Sequence, residues 1–473
     1  MKSSFSTAVS VALVLVLAGC GDNLAGPDAS GDADLSNADI LVRLDARPGV
    51  RVEEWVPPMN FPAEPGYRYF DLWFTQPVDH DNPAAGTFEQ YVALMHRDPT
   101  APLVVYTSGY DAGWTVFLTE PAQIVEGNQI SLEYRFYADS HPPTVDWTKL
   151  TVEQAQADEH AILASLGTIY SGKKFETGGS KGGENAMEHM FRYPGDLDGV
   201  VAYVAPVITD NPDLRYATVL DDIGVPACRT ALRALQREML MRRTAMETRA
   251  MATDDYTIAG VAHATETAIV ELEFSFWMTR GETQCGMVPA TTATDNALYK
   301  FLDDTGGPSG YSDEELRTSG SHYIYQDQLE LGYPIWQHAH LDDLMQFSYE
   351  DWSVYLPAAP PTYDPSGPRA LAAWLAGAPT RVMHIGGEWD PWGAGYSAIG
   401  TSNGSLDLSV PHGSHWSSGI YSLRPADREL AYTKLRTWAE LPVVAPALRQ
   451  PTASMATRGP RDPRLARSTR RDP

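Results

Sequence analysis

Residues 175–183 read FETGGSKGG and hold the pattern G-x-S-x-G as Gly178, Gly179, Ser180, Lys181 and Gly182. A serine nucleophile on a sharp strand-to-helix turn needs small residues two before and two after it, because the strand and helix backbones nearly touch there. The flanks have the matching character: KKFET (173–177) reads as a strand and GENAMEHMFRY (183–193) as a helix. Glycine turns without chemistry are common, so the short pattern is weak alone. Its strand–turn–helix setting makes a nucleophilic Ser180 the favoured reading.

Working outward, the neighbouring segments alternate between strand and helix. PLVVYTSGY (102–110) is a short buried strand ending in a glycine loop, and residues 129–136 form another strand. Residues 146–170 predict an amphipathic helix: Thr151 and Gln154 make a capping box, and Val152, Ala155, Ile162, Leu166 and Ile169 recur near helical spacing. A buried strand at 199–207 follows the turn. Strand and helix in alternation predict a parallel sheet wrapped by helices. The fold class expected is α/β, an α/β-hydrolase core with an inserted helical cap. Residues 51–208 are its first part, opening with antiparallel strands. Residues 209–340 are the cap, where helical periodicity replaces strands, and 341–448 are the second part of the core.

A serine nucleophile needs a base, and the base needs an orienting acid. In this fold they follow in the order Ser, Asp or Glu, His. Asp390, in the loop after the apolar strand of PTRVMHIGGEWDPWGAG (379–395), stands where the acid belongs, with Glu388 as its rival. His415, before the last helix, is the expected base, with His412 as its rival. As a structural residue Asp390 would be a turn or helix-capping aspartate; its place in the order raises it above that. The oxyanion is expected to meet the backbone N–H of Lys181 and that of Gly109 or Tyr110. The Lys181 ammonium is expected at the surface or in packing, since adjacent side chains on such a turn diverge. Trp389, Trp392 and Trp416 flank the acid and base; packing is their ordinary role, and one or two are candidates to wall a pocket for a flat side chain such as proline. His338 and His340 lack a third ligand at a telling spacing, so no metal is expected. No cofactor is expected either.

The first twenty residues, MKSSFSTAVSVALVLVLAGC, read as an export segment: Lys2, an apolar run over 8–17 too short to span a bilayer, then LAGC. Cys20 is the expected lipid-carrying residue of a lipoprotein, with plain secretion as the rival. Residues 21–50 follow as a flexible linker. The chain is thus expected in the cell envelope, held to membrane by the lipid alone, or secreted. Its formal charge of −26 argues against nucleic acid as a partner. In an exported protein Cys228 and Cys285 are expected to be bonded. The tail, 449–473, is basic, lacks periodic apolar residues and is expected to be disordered.

The segments GNQISLEYRFYADSHP, DWTKLTVEQAQAD, TGGSKGG, YPGDLDGVVAYVAPV and ACRTALRALQRE, in this order, resemble the bacterial secreted tripeptidyl and prolyl-tripeptidyl aminopeptidases over about residues 60–445. The resemblance implies an α/β-hydrolase core with a helical cap, Ser180, Asp390 and His415 as nucleophile, acid and base, and release of short peptides from free N-termini, often after Pro or a small residue. The chain departs from that pattern after the elbow, where Glu184, Asn185 and Ala186 place a carboxylate near the nucleophile. Such an enzyme needs a counter-charge for the substrate α-ammonium; Glu133 is a candidate, an ion pair with Arg135 being its equally plain structural role. The other readings are a serine esterase on the same fold and an inactive peptide-binding lipoprotein.

Overall fold

The computed structural model describes residues 37–57, 63–113, 115–349, 351–359 and 361–443. Cys20, the export segment and the basic tail lie outside these residues.

Among the described residues nine strands form one sheet: β1 (Val50–Trp55), β2 (Arg68–Pro77), β3 (Thr87–His96), β4 (Leu103–Thr107), β5 (Asn128–Leu132), β6 (Lys174–Gly179), β7 (Gly199–Tyr203), β8 (Val382–Gly387) and β9 (Leu406–Val410). Their order is β1-β2-β3-β5-β4-β6-β7-β8-β9. The pairs β1·β2, β2·β3 and β3·β5 are antiparallel, and every pair from β5 to β9 is parallel. Strands β4, β5 and β7 are buried at every residue, as expected where helices cover both faces. Val105 and Val200 point to one layer, with Ile162, Leu166 and Met187. Tyr106 and Val201 point to the other, with Leu435 and Trp438. This α/β-hydrolase arrangement carries the Ser180 turn at the end of the inner strand β6, between β4 and β7.

Between β7 and β8 the chain leaves the sheet and builds a helical insertion with its own core, which includes Leu232, Met239, Ile269, Phe276, Trp277 and Leu302. Cys228 and Cys285 are joined within it as a disulfide, Cα–Cα 5.6 Å. The insertion extends past residue 340, because Tyr349, Trp352 and Tyr355 pack into that same core. These aromatics sit in irregular chain, which leaves no periodic signal in sequence. The insertion's helices include Pro226–Met241 and Arg243–Ala250, consecutive in the chain.

Two further differences are local. Part of the segment read as a linker is the helix Ile40–Asp45, whose Ile40 and Leu44 are buried against the sheet. An amphipathic unit of two turns is too short to show a period. The strand expected over 129–136 stops at Leu132, and Arg135 turns inward to form a fully buried pair with Asp158, Nε–Oδ2 2.7 Å. Glu133 is therefore not its partner.

Candidate active site

The elbow is built from close backbone contacts. A Cβ at Gly178 would lie 2.3 Å from the Thr107 carbonyl oxygen, and one at Gly182 2.1 Å from the same atom. Any side chain at either position would push β4, β6 and the elbow helix Lys181–Arg192 apart. Ser180 itself has φ 56° and ψ −129°, a conformation that L-residues avoid and that such a turn imposes.

Asp390 and His415 come from the loops after β8 and β9 and meet in the interior. His415 Nδ1 lies 2.7 Å from Asp390 Oδ2, and both residues are buried. The other carboxylate oxygen, Oδ1, accepts the Trp392 N–H at 3.0 Å. Tyr396, which sequence reading missed, donates its hydroxyl to Oδ2 as well. Asp390 is thus held by three donors, which fixes the face it offers the imidazole. The rivals pair with each other elsewhere: Glu388 accepts the His412 N–H at 2.9 Å, and the His412 ring stacks on Trp389 at 3.9 Å and is well exposed.

Ser180 and Trp392 line one cleft, with Lys181, Glu184, Pro206, Tyr323 and Asp327 among its other walls. Trp392 also packs against the His415 ring, centroids 6.4 Å apart, so the cleft joins the elbow to the acid–base pair. Trp389 stacks away from this cleft, and Trp416 is 40% exposed. Of the three tryptophans, Trp392 is the one that lines the cleft with Ser180.

The loop after β4 presses on the elbow. A Cβ at Gly109, which has φ +77°, would lie 2.9 Å from Lys181 Cγ and 3.2 Å from the Gly182 nitrogen. The Gly109 N–H donates to Thr107 Oγ1 at 3.2 Å and the Tyr110 N–H to Ser108 Oγ at 2.9 Å. Both amides expected at the oxyanion are engaged within their own loop, and Gly109 makes the longer, more readily shared bond.

Lys181 does not extend to the surface. Its ammonium donates to the Gly109 carbonyl at 2.6 Å and sits 4.1–4.9 Å from the ring centroids of Tyr110, Tyr134 and Tyr137. Burial brings its pKa down to about 7, against the pull of Asp327, Glu184 and Glu330. The side chain ties the elbow to the loop that faces it. Its cage draws on three distant tyrosines, a convergence invisible in sequence.

Glu133 is not part of the cleft wall. It is buried, accepts the Ser140 hydroxyl at 2.6 Å, and is pushed up to about 8 by that burial. His338 pairs with Asp342 at 3.2 Å and His340 with Gln236 at 3.0 Å, so these histidines do not converge on a common point.

Residues 33–472 match the family described as PS-10 peptidase S37. The chain is 35% identical over 414 residues to the prolyl tri/tetrapeptidyl aminopeptidase of Streptomyces mobaraensis, covering 85% of each chain. Solved structures similar to it include the proline iminopeptidase of Mycobacterium smegmatis, at 15% identity and TM-score 0.38, covering 78% of this chain and 99% of that one. A hypothetical protein of Pseudomonas aeruginosa matches at 12% identity and TM-score 0.36, covering 82% and 99%. With a near full-length family match and a relative of this identity, the chain belongs to the PS-10 peptidase S37 family of serine peptidases.

Proposed function

We propose that this peptidase removes tripeptides, or similarly short peptides, from free N-termini, with a preference for proline before the cut. The observation that carries the mechanism is the buried His415–Asp390 contact of 2.7 Å beside a cleft that also exposes the strained Ser180. Ser180 Oγ attacks the scissile carbonyl carbon while the free ring nitrogen of His415 takes its proton. Asp390 stabilises the imidazolium through Nδ1–H. The tetrahedral oxyanion takes hydrogen bonds from the Lys181 N–H and from Gly109 as its bond to Thr107 is shared. Collapse breaks the C–N bond, and His415 returns the proton to the leaving amine. Water, deprotonated by His415, then hydrolyses the acyl-Ser180 ester and frees the peptide.

Two observations support the substrate class. Tyr323, Asp327 and Leu331 of the cap line the cleft beside Ser180, a wall on one side of the nucleophile that suits the end of a chain. Trp392, Pro206 and Ile208 give the cleft apolar walls beside Ser180, suited to a pyrrolidine ring. The relative from Streptomyces is itself described as a prolyl tri/tetrapeptidyl aminopeptidase. Export as a lipoprotein rests on the sequence around Cys20, and metabolic palmitate labelling that vanishes in Cys20→Ser is its test.

The activity is read with Ala-Ala-Pro-p-nitroanilide, its N-acetylated form and p-nitrophenyl acetate. The free peptide is expected to be cleaved, the acetylated one poorly, and Ser180→Ala and His415→Ala are each expected to lose several orders of magnitude in rate. Ester cleavage without peptide cleavage would replace this reading with an esterase. Retention of activity in Ser180→Ala would remove the nucleophile assignment.

A further inference from the structure

The far wall of the cleft holds an anomaly. Asp327 is fully buried, and neither of its carboxylate oxygens has a hydrogen-bond partner among the described residues. The Tyr323 hydroxyl lies alongside and favours the ionised form, yet it does not complete a bond. An unpartnered buried carboxylate is costly, so one that is retained demands an explanation. Glu184, one turn into the elbow helix and also buried, lines the same cleft, and so does Ser180.

The charges around this wall are out of balance. Glu330 is committed to the Val152 N–H at 2.7 Å and the Gln326 amide at 3.2 Å. Glu188 is committed to Arg192 at 2.9 Å. Lys181, whose charge acts on both Asp327 and Glu184, is already held by the Gly109 carbonyl and its three tyrosines. Burial pushes both Asp327 and Glu184 well above the ordinary carboxylate range, Glu184 further through repulsion from Glu188, Asp327 and Glu330, and the pull of Lys181 does not offset it, the response of acids short of a counter-ion. A cation entering the cleft would supply one. Asp327 stands at the start of the π-helical turn Asp327–Leu331, a distortion that turns a helix side chain out of its regular position and recurs at functional sites.

We propose that Asp327, together with Glu184, forms the subsite that receives the substrate's α-ammonium. The assignment rests on the aminopeptidase reading above and adds to it the groups that make a free N-terminus obligatory. The ammonium brings three donors to oxygens that have none, and brings positive charge to a wall with excess carboxylates. Because Asp327 is carried by the cap and Ser180 by the sheet, their separation sets how many residues are released. An acetylated N-terminus offers one donor, no charge and extra bulk, and is rejected. These are specificity-determining residues; they take no part in bond breaking.

The test is the ratio of kcat/KM for free Ala-Ala-Pro-p-nitroanilide to that for the acetylated peptide, in the wild type and in Asp327→Asn. Fluorophosphonate labelling of Ser180 and thermal melting are followed in parallel as reports on triad and fold. The ratio is expected to fall on the order of 100-fold in the variant, mainly through KM, as when one partner of a desolvated charge pair is removed. A folded, labelled Asp327→Asn with the wild-type ratio would overturn the assignment. A wild type that does not discriminate between the peptides would instead overturn the aminopeptidase reading itself. Should Asp327→Asn lose its melting transition, Glu184→Gln decides: a ratio reduced about 10-fold supports the subsite, and an unchanged one refutes it.

Discussion

Asp390 and Glu133 show how position in the fold, rather than residue type, assigns a carboxylate its work. Asp390 has three donors and faces a histidine. Glu133 is sealed in the protein with the Ser140 hydroxyl, and burial raises it from an ordinary 4.5 to about 8. Between those two values the folded state holds a proton that the unfolded state releases. The Glu133 contribution to stability therefore falls as pH rises from 4.5 to about 8, and its penalty is complete above that. Glu133→Gln keeps an acceptor for Ser140 and cannot ionise. Its stability advantage over the wild type is expected to be absent below pH 4.5 and to grow until about pH 8, read by urea unfolding at stepped pH. Parallel curves for the two proteins would show that Glu133 ionises freely in the fold. The Asp390–His415 contact and the strained turn at Ser180 were legible in sequence because order along the chain is a strong constraint in this fold. Tyr396, Asp327 and the role of the Lys181 ammonium were not, because nothing in local sequence distinguishes them from ordinary core residues.

At the scale of elements, the elbow is a contact between three backbones, β4, β6 and the helix Lys181–Arg192. Gly182→Ala would set a Cβ 2.1 Å from a carbonyl oxygen that belongs to the sheet and cannot move alone. The expected cost is several kcal/mol, about 3 or more, with loss of activity following the loss of fold. Gly195→Ala is the control, since a Cβ there meets nothing within 4 Å, and its Tm should match the wild type. Equal Tm values for the two variants would mean that the backbones are not this close. Gly109→Ala belongs between them: its positive φ and the 2.9 Å approach to Lys181 Cγ move the loop off the elbow. That variant is expected to lose kcat by about 10-fold or more while costing only about 1–3 kcal/mol of stability. Steady-state kinetics and melting on the same sample separate the two effects.

At the scale of the molecule, the inserted cap is a second core laid over the sheet, closed by a disulfide spanning 57 residues. In the chain-entropy account a closed loop of that length is worth about 4 kcal/mol, so reduction should loosen the cap before the sheet. Hydrogen exchange followed by mass spectrometry should show faster exchange over 226–302 in reductant and no change over β4, β6 and β7. Uniform acceleration would mean that cap and sheet unfold as one unit. The cap also explains where inference from sequence ended. Sequence alone determined the parallel sheet, the turn at Ser180, the placing of Asp390 and His415 in the loops after two later strands, and the helical character of the insertion. Each of these is written in local periodicity or in chain order, which short-range sterics and alternating burial impose directly. Only the tertiary structure decided that the ammonium of Lys181 turns inward to brace the Gly109 loop, that Glu133 is sealed away, and that Asp327 from the cap faces the cleft beside Glu184. Those outcomes depend on which residues, distant in sequence, share one small volume from which water is excluded. The electrostatic character of a side chain is set by that shared volume, and local sequence does not encode it.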